Sequence, residues 1–266
     1  IKNIKITNKF LRYKIDEKLM KKMIKSKISS VFRRSKYILI NLNNRYTILV
    51  HLGMTGKIII SGPNKNKYKT SFYYDLLDHK TIHNHLIIEF SKNIFLTYND
   101  VRKFGFVKIL KTKNLQSSSH LNMLGPEPLS QKFNFSYFKK NTKKRKVYLK
   151  DLLMNQRFIA GLGNIYVNEV LFLSKISPKV RSNKIPLKKI YLLVSNIKKI
   201  LKKAIREGGS SIKNFNNTKG KNGNFQQFFN VYGKQGSNCS RSNCIGTIQR
   251  IWISKRSTFF CDICQK

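Results

Sequence analysis

Four cysteines, all inside the stretch from Cys239 to Cys264, constrain what this chain can fold into more than any other feature. Cys239 and Cys244 are spaced C-x4-C, Cys261 and Cys264 are spaced C-x2-C, and residues 245–260 separate the pairs. Each pair can close a tight turn that presents two thiolates to one tetrahedral Zn²⁺, and a β-hairpin over 248–260 brings the two turns together. Clustering of this kind in a non-secreted chain favours a metal over disulfides. Four thiolates leave no open coordination position, so one structural zinc ion is expected to organise the C-terminal fold without catalysing.

The rest of the 266 residues must supply a core of its own. That length suits two or three compact units, and a content of 41 % hydrophobic and 12 % aromatic residues excludes a disordered chain. With 54 Lys+Arg against 11 Asp+Glu, the net charge is +43 and the pI about 10.4, which calls for a polyanionic partner such as nucleic acid without deciding between DNA and RNA. The wealth of Lys, Ile and Asn has a second possible source, the bias of an AT-rich genome, and both readings stand at this level. No run of 18 or more apolar residues occurs, and residues 1–7 alternate lysine with apolar residues where a signal peptide would carry an unbroken apolar core. The chain therefore reads as cytoplasmic with no membrane partner, and Ile1 in place of Met reads as a truncated start.

Short β-type runs at 37–42, 46–51, 57–61, 86–90 and 94–98, separated by Asn, Gly and Lys turn signals, predict a β-sandwich or barrel over 1–112. A helix over 16–22 interrupts it, with Asp16 placed to cap and Leu19, Met20 and Met23 on one side. The piece at 113–130 reads as a linker, stiffened at its exit by Gly125-Pro126-Glu127-Pro128. Over 131–227 the spacing turns helical, with apolar periodicity at 147–154, 165–173 and 187–205. Residues 214–224 make a Gly/Asn/Lys loop with little to bury, and strands return around the cysteines at 228–266. The class is α+β: an N-terminal β-sandwich, a helical domain and a four-cysteine hairpin.

Several turns carry residues suited to nucleic acid. Lys255 and Arg256 fall at the expected tip of the cysteine hairpin, where a guanidinium can grip a phosphate bidentately; a solvated turn is the plain alternative. Gly161-Leu162-Gly163-Asn164 before an apolar helix offers N–H groups to an anion, while Asn164 is equally a good N-cap. Met54, in a glycine-flanked turn between apolar strands, is either a thioether wedge for a base stack or a side chain folded back beneath the turn. Arg102 and Phe104 pair cation with aromatic at another turn, a combination that can enter a groove and replace a missing stack, unless Phe104 belongs to the core. The histidines at 51, 79, 83, 85 and 120 show no metal spacing that competes with the cysteines, and no Ser/His/Asp set, Walker loop or dinucleotide loop is legible.

The stretches FRRSKYILI at 32–40, HLGMTGKI at 51–58, NDVRKFGF at 99–106, LGPEPL at 124–129, AGLGNIYVNEVLF at 160–172, the Gly208-Gly209-Ser210-Ser211 loop entry, VYGKQG and RSTFFCDICQK follow one another along essentially the whole chain. In this it resembles the bacterial formamidopyrimidine-DNA glycosylase family. The resemblance implies a β-sandwich joined to a helix-two-turn-helix domain and a zinc finger, acting as a monomer with damaged double-stranded DNA in the cleft between them. It implies that Lys36 contacts DNA near the lesion in support of catalysis. Met54, Arg102 and Phe104 would fill the gap left by an everted base and probe the opposite base. Asn164 would hold a phosphate, Arg256 the phosphates flanking the lesion, and the 214–224 loop would close over the flipped oxidised purine. The activity implied is excision of oxidised purines, formamidopyrimidine and 8-oxoguanine, with AP-lyase strand cleavage.

The chain departs from the family pattern at its start. Family members begin with a Pro-Glu pair, and here the matched region begins about twenty residues later, judged from the spacing to the RRSKY segment. The proline amine would attack the sugar C1′, expel the base and form a Schiff base, while the glutamate would handle protons. Neither stands at the start of residues 1–266, so no catalytic nucleophile is assigned. Val101, Lys103 and the longer C-x4-C pair are smaller departures that remove neither a ligand nor a DNA contact. Three readings compete: a DNA-binding protein without catalysis, an endonuclease VIII-type glycosylase for oxidised pyrimidines, and a zinc-ribbon RNA-binding protein. The LGPEPL segment and the long Gly/Asn loop count against the second. The HLGM and RKFG turns count against the third, because only a duplex needs a wedge.

Overall fold

β-Branched and aromatic residues in short runs, broken by Asn, Gly and Ser-Lys turns, make the first part of the chain a strand-former. The computed structural model describes residues 1–63, 67–69, 80–210 and 225–266. It divides into two units, Ile1–Asn122 with the described ends of Gly208–Gln226, and Met123–Glu207 with Gln227–Lys266.

The first unit contains β1 (Asn3–Ile6), α1 (Glu17–Lys21), β2 (Ile28–Arg34), β3 (Tyr37–Leu42), β4 (Tyr46–His51), β5 (Gly56–Ser61), β6 (Lys67–Lys69), β7 (Asn84–Glu89), β8 (Phe95–Asp100) and β9 (Phe106–Lys111). One antiparallel sheet runs β1-β7-β8-β5-β6 and the other β2-β3-β4-β9. Ile40, Ile48, Val50 and Val107 of the four-stranded sheet meet Ile58, Leu86, Ile88 and Tyr98 of the five-stranded one in a single buried cluster, so the two sheets form a sandwich. Helix α1 starts where Asp16 accepts the Leu19 N–H at 2.9 Å; it sends Met20 into the same cluster, and Met23, in the turn that follows it, joins there. Two chain segments cross between the sheets side by side, β4 to β5 and β8 to β9.

The second unit contains α2 (Phe135–Thr142), α3 (Leu149–Met154), α4 (Asn164–Leu173), α5 (Leu187–Arg206) and the hairpin β10 (Ile248–Ile253) and β11 (Arg256–Cys261). Helix α5 buries Ile190, Leu193, Val194, Ile197, Ile200 and Ala204, the stripe that three-and-four spacing dictates. Helix α4 is apolar almost all round and buries Val167 through Phe172, so it is the central element. Cations cap its C-terminal carbonyls: Arg241 donates to Phe172 O at 2.6 Å and Lys189 to O of the C-cap Ser174 at 3.2 Å. Among the described residues no helix is long and apolar enough to cross a membrane.

Candidate nucleic-acid interface and metal centre

The two cysteine pairs meet as their spacing requires. The four Sγ atoms lie within 4.8 Å of one another, with Cys239 and Cys264 3.9 Å apart and Cys244 and Cys261 3.6 Å apart. These separations are far beyond a disulfide bond, and a single metal ion fits among them. It is the one His/Cys/Asp/Glu group of this kind among the described residues. Burial, and then the neighbouring Cys261 and Cys239, push the Cys264 thiol up to about 12, so a bound cation is what would hold four thiolates together here. A side chain at Gly246 would bring its Cβ within 2.7 Å of Cys261 Sγ, which keeps that position glycine. Behind the sulfurs, Cys239 and Cys261 pack with Phe172, Val231, Ile248 and Phe259, joining the metal turns to α4.

The hairpin between the pairs turns at Ser254 and Lys255, both with positive φ (48° and 59°), the two-residue loop that suits twisted antiparallel strands. Arg256 is therefore one step past the tip: it opens β11, exposed, paired with Ile253. The N-cap of α4 is Gly163 and not Asn164, which occupies the first helical position and donates its amide to Ser257 O at 3.0 Å. The structure thus places Asn164 beside the residue that follows Arg256.

On the first unit, Met54 and Phe104 are 52 % and 47 % exposed, so neither is folded into the core. They are joined by Arg102, whose guanidinium lies 4.5 Å from the Phe104 ring centroid and 3.6 Å from Met54 Sδ. The two turns touch closely enough that a Cβ on Gly53 would meet Gly105 N at 2.6 Å and Phe104 C at 2.8 Å. Lys36 stands exposed in the β2–β3 turn. It helps to hold the nearby His51 down at about 4, behind burial and ahead of Arg12 and His120, so His51 is neutral at pH 7 and accepts the Gly53 N–H on Nδ1 at 3.2 Å. The 214–224 loop and His79 lie outside the described residues.

The model of the formamidopyrimidine-DNA glycosylase N-terminal domain matches residues 1–107, and that of the formamidopyrimidine-DNA glycosylase H2TH domain matches residues 124–216. The chain belongs to the formamidopyrimidine-DNA glycosylase family. The family's enzyme from Ruegeria sp. (strain TM1040) is 39 % identical over 256 residues, covering 96 % of this chain and 89 % of that protein. The one from Rickettsia felis is 37 % identical over 265 residues, covering 100 % and 90 %. Among solved structures, the Lactococcus lactis Fpg in complex with abasic-site DNA superposes with a TM-score of 0.84 at 34 % identity, covering 100 % of this chain and 92 % of that one. The same bacterium's protein with Fapy-dG-containing DNA gives 0.83 at 34 % identity, with the same coverage.

Within this family member, three buried polar residues that the sequence reading passed over fix the second unit's exposed groups. Lys150, 0 % exposed in α3, donates to Arg256 O at 3.4 Å, to Ser257 O at 3.2 Å and to the Thr258 hydroxyl. Burial lowers its pKa to about 8, with Arg256 adding to the effect and Asp151 opposing it. Asn168, one helical turn after Asn164, accepts the Phe259 N–H at 2.7 Å. Glu169 accepts the backbone N–H groups of Asn230, Val231 and Tyr232 at 2.8, 3.0 and 2.9 Å. The Asn164/Asn168 spacing of four was a usable signal for two amides on one helix face. For Lys150 the signal was a lysine set among Leu149, Leu152 and Leu153 on a buried arc.

Proposed function

We propose that this chain is a base-excision repair glycosylase that removes oxidised purines, formamidopyrimidine and 8-oxoguanine, from duplex DNA and goes on to cleave the strand at the abasic site. The observation that carries the reading is the joined, exposed set of Met54, Arg102 and Phe104. A thioether, a guanidinium and an aromatic ring in contact at one surface point are suited to filling the space of an extruded base and touching the base opposite. Arg256 and Asn164 supply the phosphate grip that holds the duplex while the base is out, and Lys36 contacts the DNA near the lesion. The formamidopyrimidine-DNA glycosylases among its relatives, and the abasic-site and Fapy-dG DNA bound by the Lactococcus lactis protein, support damaged double-stranded DNA as the partner.

The metal in this reading is one structural Zn²⁺. A tetrahedron with Zn–S bonds of about 2.3 Å has edges of about 3.8 Å. The separations of 3.9 and 3.6 Å straddle that length, and four cysteines are a soft donor set suited to zinc. Zinc would hold the hairpin and leave the reaction to side chains and the N-terminal amine. One copy of the chain suffices to clamp one lesion, and the place of action is the cytoplasm, with the nucleoid.

Strand cleavage in this scheme runs through the secondary amine of an N-terminal proline, and residues 1–266 open on Ile1, whose amine donates to Ser26 O at 2.7 Å. Borohydride trapping on an 8-oxoguanine duplex tests the reaction directly. A chain that opens with the family's Pro-Glu segment ahead of Ile1 is expected to yield a covalent protein–DNA adduct, and residues 1–266 are expected to yield none. An intact Pro-Glu start that traps nothing removes the glycosylase–lyase reading, and an adduct formed by residues 1–266 removes the proline from it.

A further inference from the structure

Reading Met54, Arg102 and Phe104 as a base-stack wedge raises the question of what keeps exposed side chains from two separate turns in one place. Met54 lies on the crossing from β4 to β5, whereas Arg102 and Phe104 lie on the return crossing from β8 to β9, so the set stays together only while the two crossings keep their places side by side. Directly beneath both crossings is Asp100, 0 % exposed. Its Oδ1 accepts the hydroxyl of Thr55, the residue after Met54. Its Oδ2 accepts the Gly105 N–H at 2.8 Å and the Tyr98 hydroxyl at 3.3 Å. Thr55 Oγ1 in turn accepts the Arg102 N–H at 3.0 Å. The backbone of Asp100 is itself held, because buried His85 donates from Nε2 to the Asp100 carbonyl at 2.7 Å.

One carboxylate therefore grips the Met54 turn through Thr55 and both ends of the Arg102–Phe104 segment, at Gly105 directly and at Arg102 through the same threonine. An ionised carboxylate can accept all of these bonds at once, and charge-assisted bonds inside a protein are the stronger kind. A group needed only for sheet stability would find its partners within the sheets. Thr55 and Gly105 instead lie on the two turns that carry the wedge.

We propose that Asp100 is the positioning residue for the wedge: a carboxylate sealed from solvent that locks the Met54 turn to the Arg102–Phe104 turn, so that entry into the base stack, and with it the choice of opposite base, depends on Asp100 and Thr55. The proposal rests on the wedge reading given under Proposed function, and the test separates the two. A duplex carries an abasic-site analogue with 2-aminopurine as the opposite base, whose fluorescence rises when it is unstacked. The protein is added at saturating concentration, so that a loss of overall stability alone does not move the amplitude. Thr55→Val, which removes one hydroxyl and keeps the shape, and Asp100→Ala are each expected to reduce the fluorescence rise and to weaken the preference for damaged over intact duplex about tenfold. Asp100→Asn, which keeps one acceptor and gains a donor for Thr55 Oγ1, is expected to restore most of both. Phe104→Ala is the control for the wedge itself and should abolish the rise. If Phe104→Ala loses the signal while Thr55→Val and Asp100→Ala retain it, the positioning role is overturned and the wedge stands. If Phe104→Ala retains the signal, the wedge reading fails, and the proposal with it.

Discussion

Stripping the metal from Cys239, Cys244, Cys261 and Cys264, by chelation or by Cys261→Ser, is expected to lower affinity for duplex DNA by about a hundredfold or more, the sum of two lost phosphate contacts of which one is charge-assisted. The reason is mechanical. The sulfur turns and the inner face of the hairpin form one cluster with Phe172 of α4, and the hairpin that carries Arg256 has just two strands, too few to stand alone in water. Zinc binding at such a site is folding free energy on the order of 10 kcal/mol. Without it, Lys150 and Asn164 lose the carbonyls of residues 256 and 257 that they hold, and Arg241, three residues before Cys244, loses its seat on the C-terminal carbonyls of α4. Trp252, the one tryptophan, is 66 % exposed on β10 with Arg250 5.0 Å from its ring, and so it reports the event by fluorescence. Titration of chelator against DNA anisotropy and tryptophan emission should show the two signals falling together. Binding within twofold of the untreated protein, after loss of the metal has been verified, would contradict the expectation.

Arg256→Ala is expected to have the second-largest effect, a loss of roughly ten- to a hundredfold in affinity at physiological salt, the usual worth of a charge-assisted bond. Its signature is the salt dependence. Removing one cation from the phosphate backbone should reduce the slope of log affinity against log salt by about one, uniformly across sequences. Arg256→Lys should restore the slope and not all of the affinity, because an ammonium cannot make the bidentate contact. Asn164→Ala removes a neutral amide and also its bond to Ser257, so it should weaken binding with no change in slope. Isotherms at four salt concentrations separate these cases, and an Arg256→Ala slope equal to that of the unsubstituted chain would place Arg256 off the DNA.

Much of this architecture was legible in the residues. Strands β3 and β4 begin and end where their apolar runs do, because each is bounded by turn residues and buries most of its length. Asp16 caps α1 as its position ahead of Leu19 and Met20 required. The cysteine spacing gave the hairpin to within one residue, the error being the placement of the turn at Ser254-Lys255 and of Arg256 just beyond it. Strand β2 was harder to find, since six of its seven residues are exposed and no alternation marks it; pairing with β3 keeps it extended. Of the two readings open for Asn164 the N-cap does not hold, although Asn caps better than Gly: Gly163 takes the cap and the Asn164 side chain is engaged with the hairpin. Asp100 was beyond reach for a physical reason: burying a charge is tolerable only with partners, and Thr55, the partner that ties it to the other turn, is 45 positions away. For Lys150 the leucines around it mark a buried arc, yet the groups that satisfy its ammonium lie 106 to 108 positions on.

Recognition of damage in a double helix is measured most directly by equilibrium binding of residues 1–266 to two duplexes of one sequence, intact and carrying an abasic-site analogue, at the same salt. The wedge and the phosphate grip together predict that the damaged duplex binds roughly a hundredfold tighter or more, within the range by which specific sites exceed non-specific ones. Equal affinities would reduce the chain to a polycation that holds any nucleic acid, and the account would be wrong.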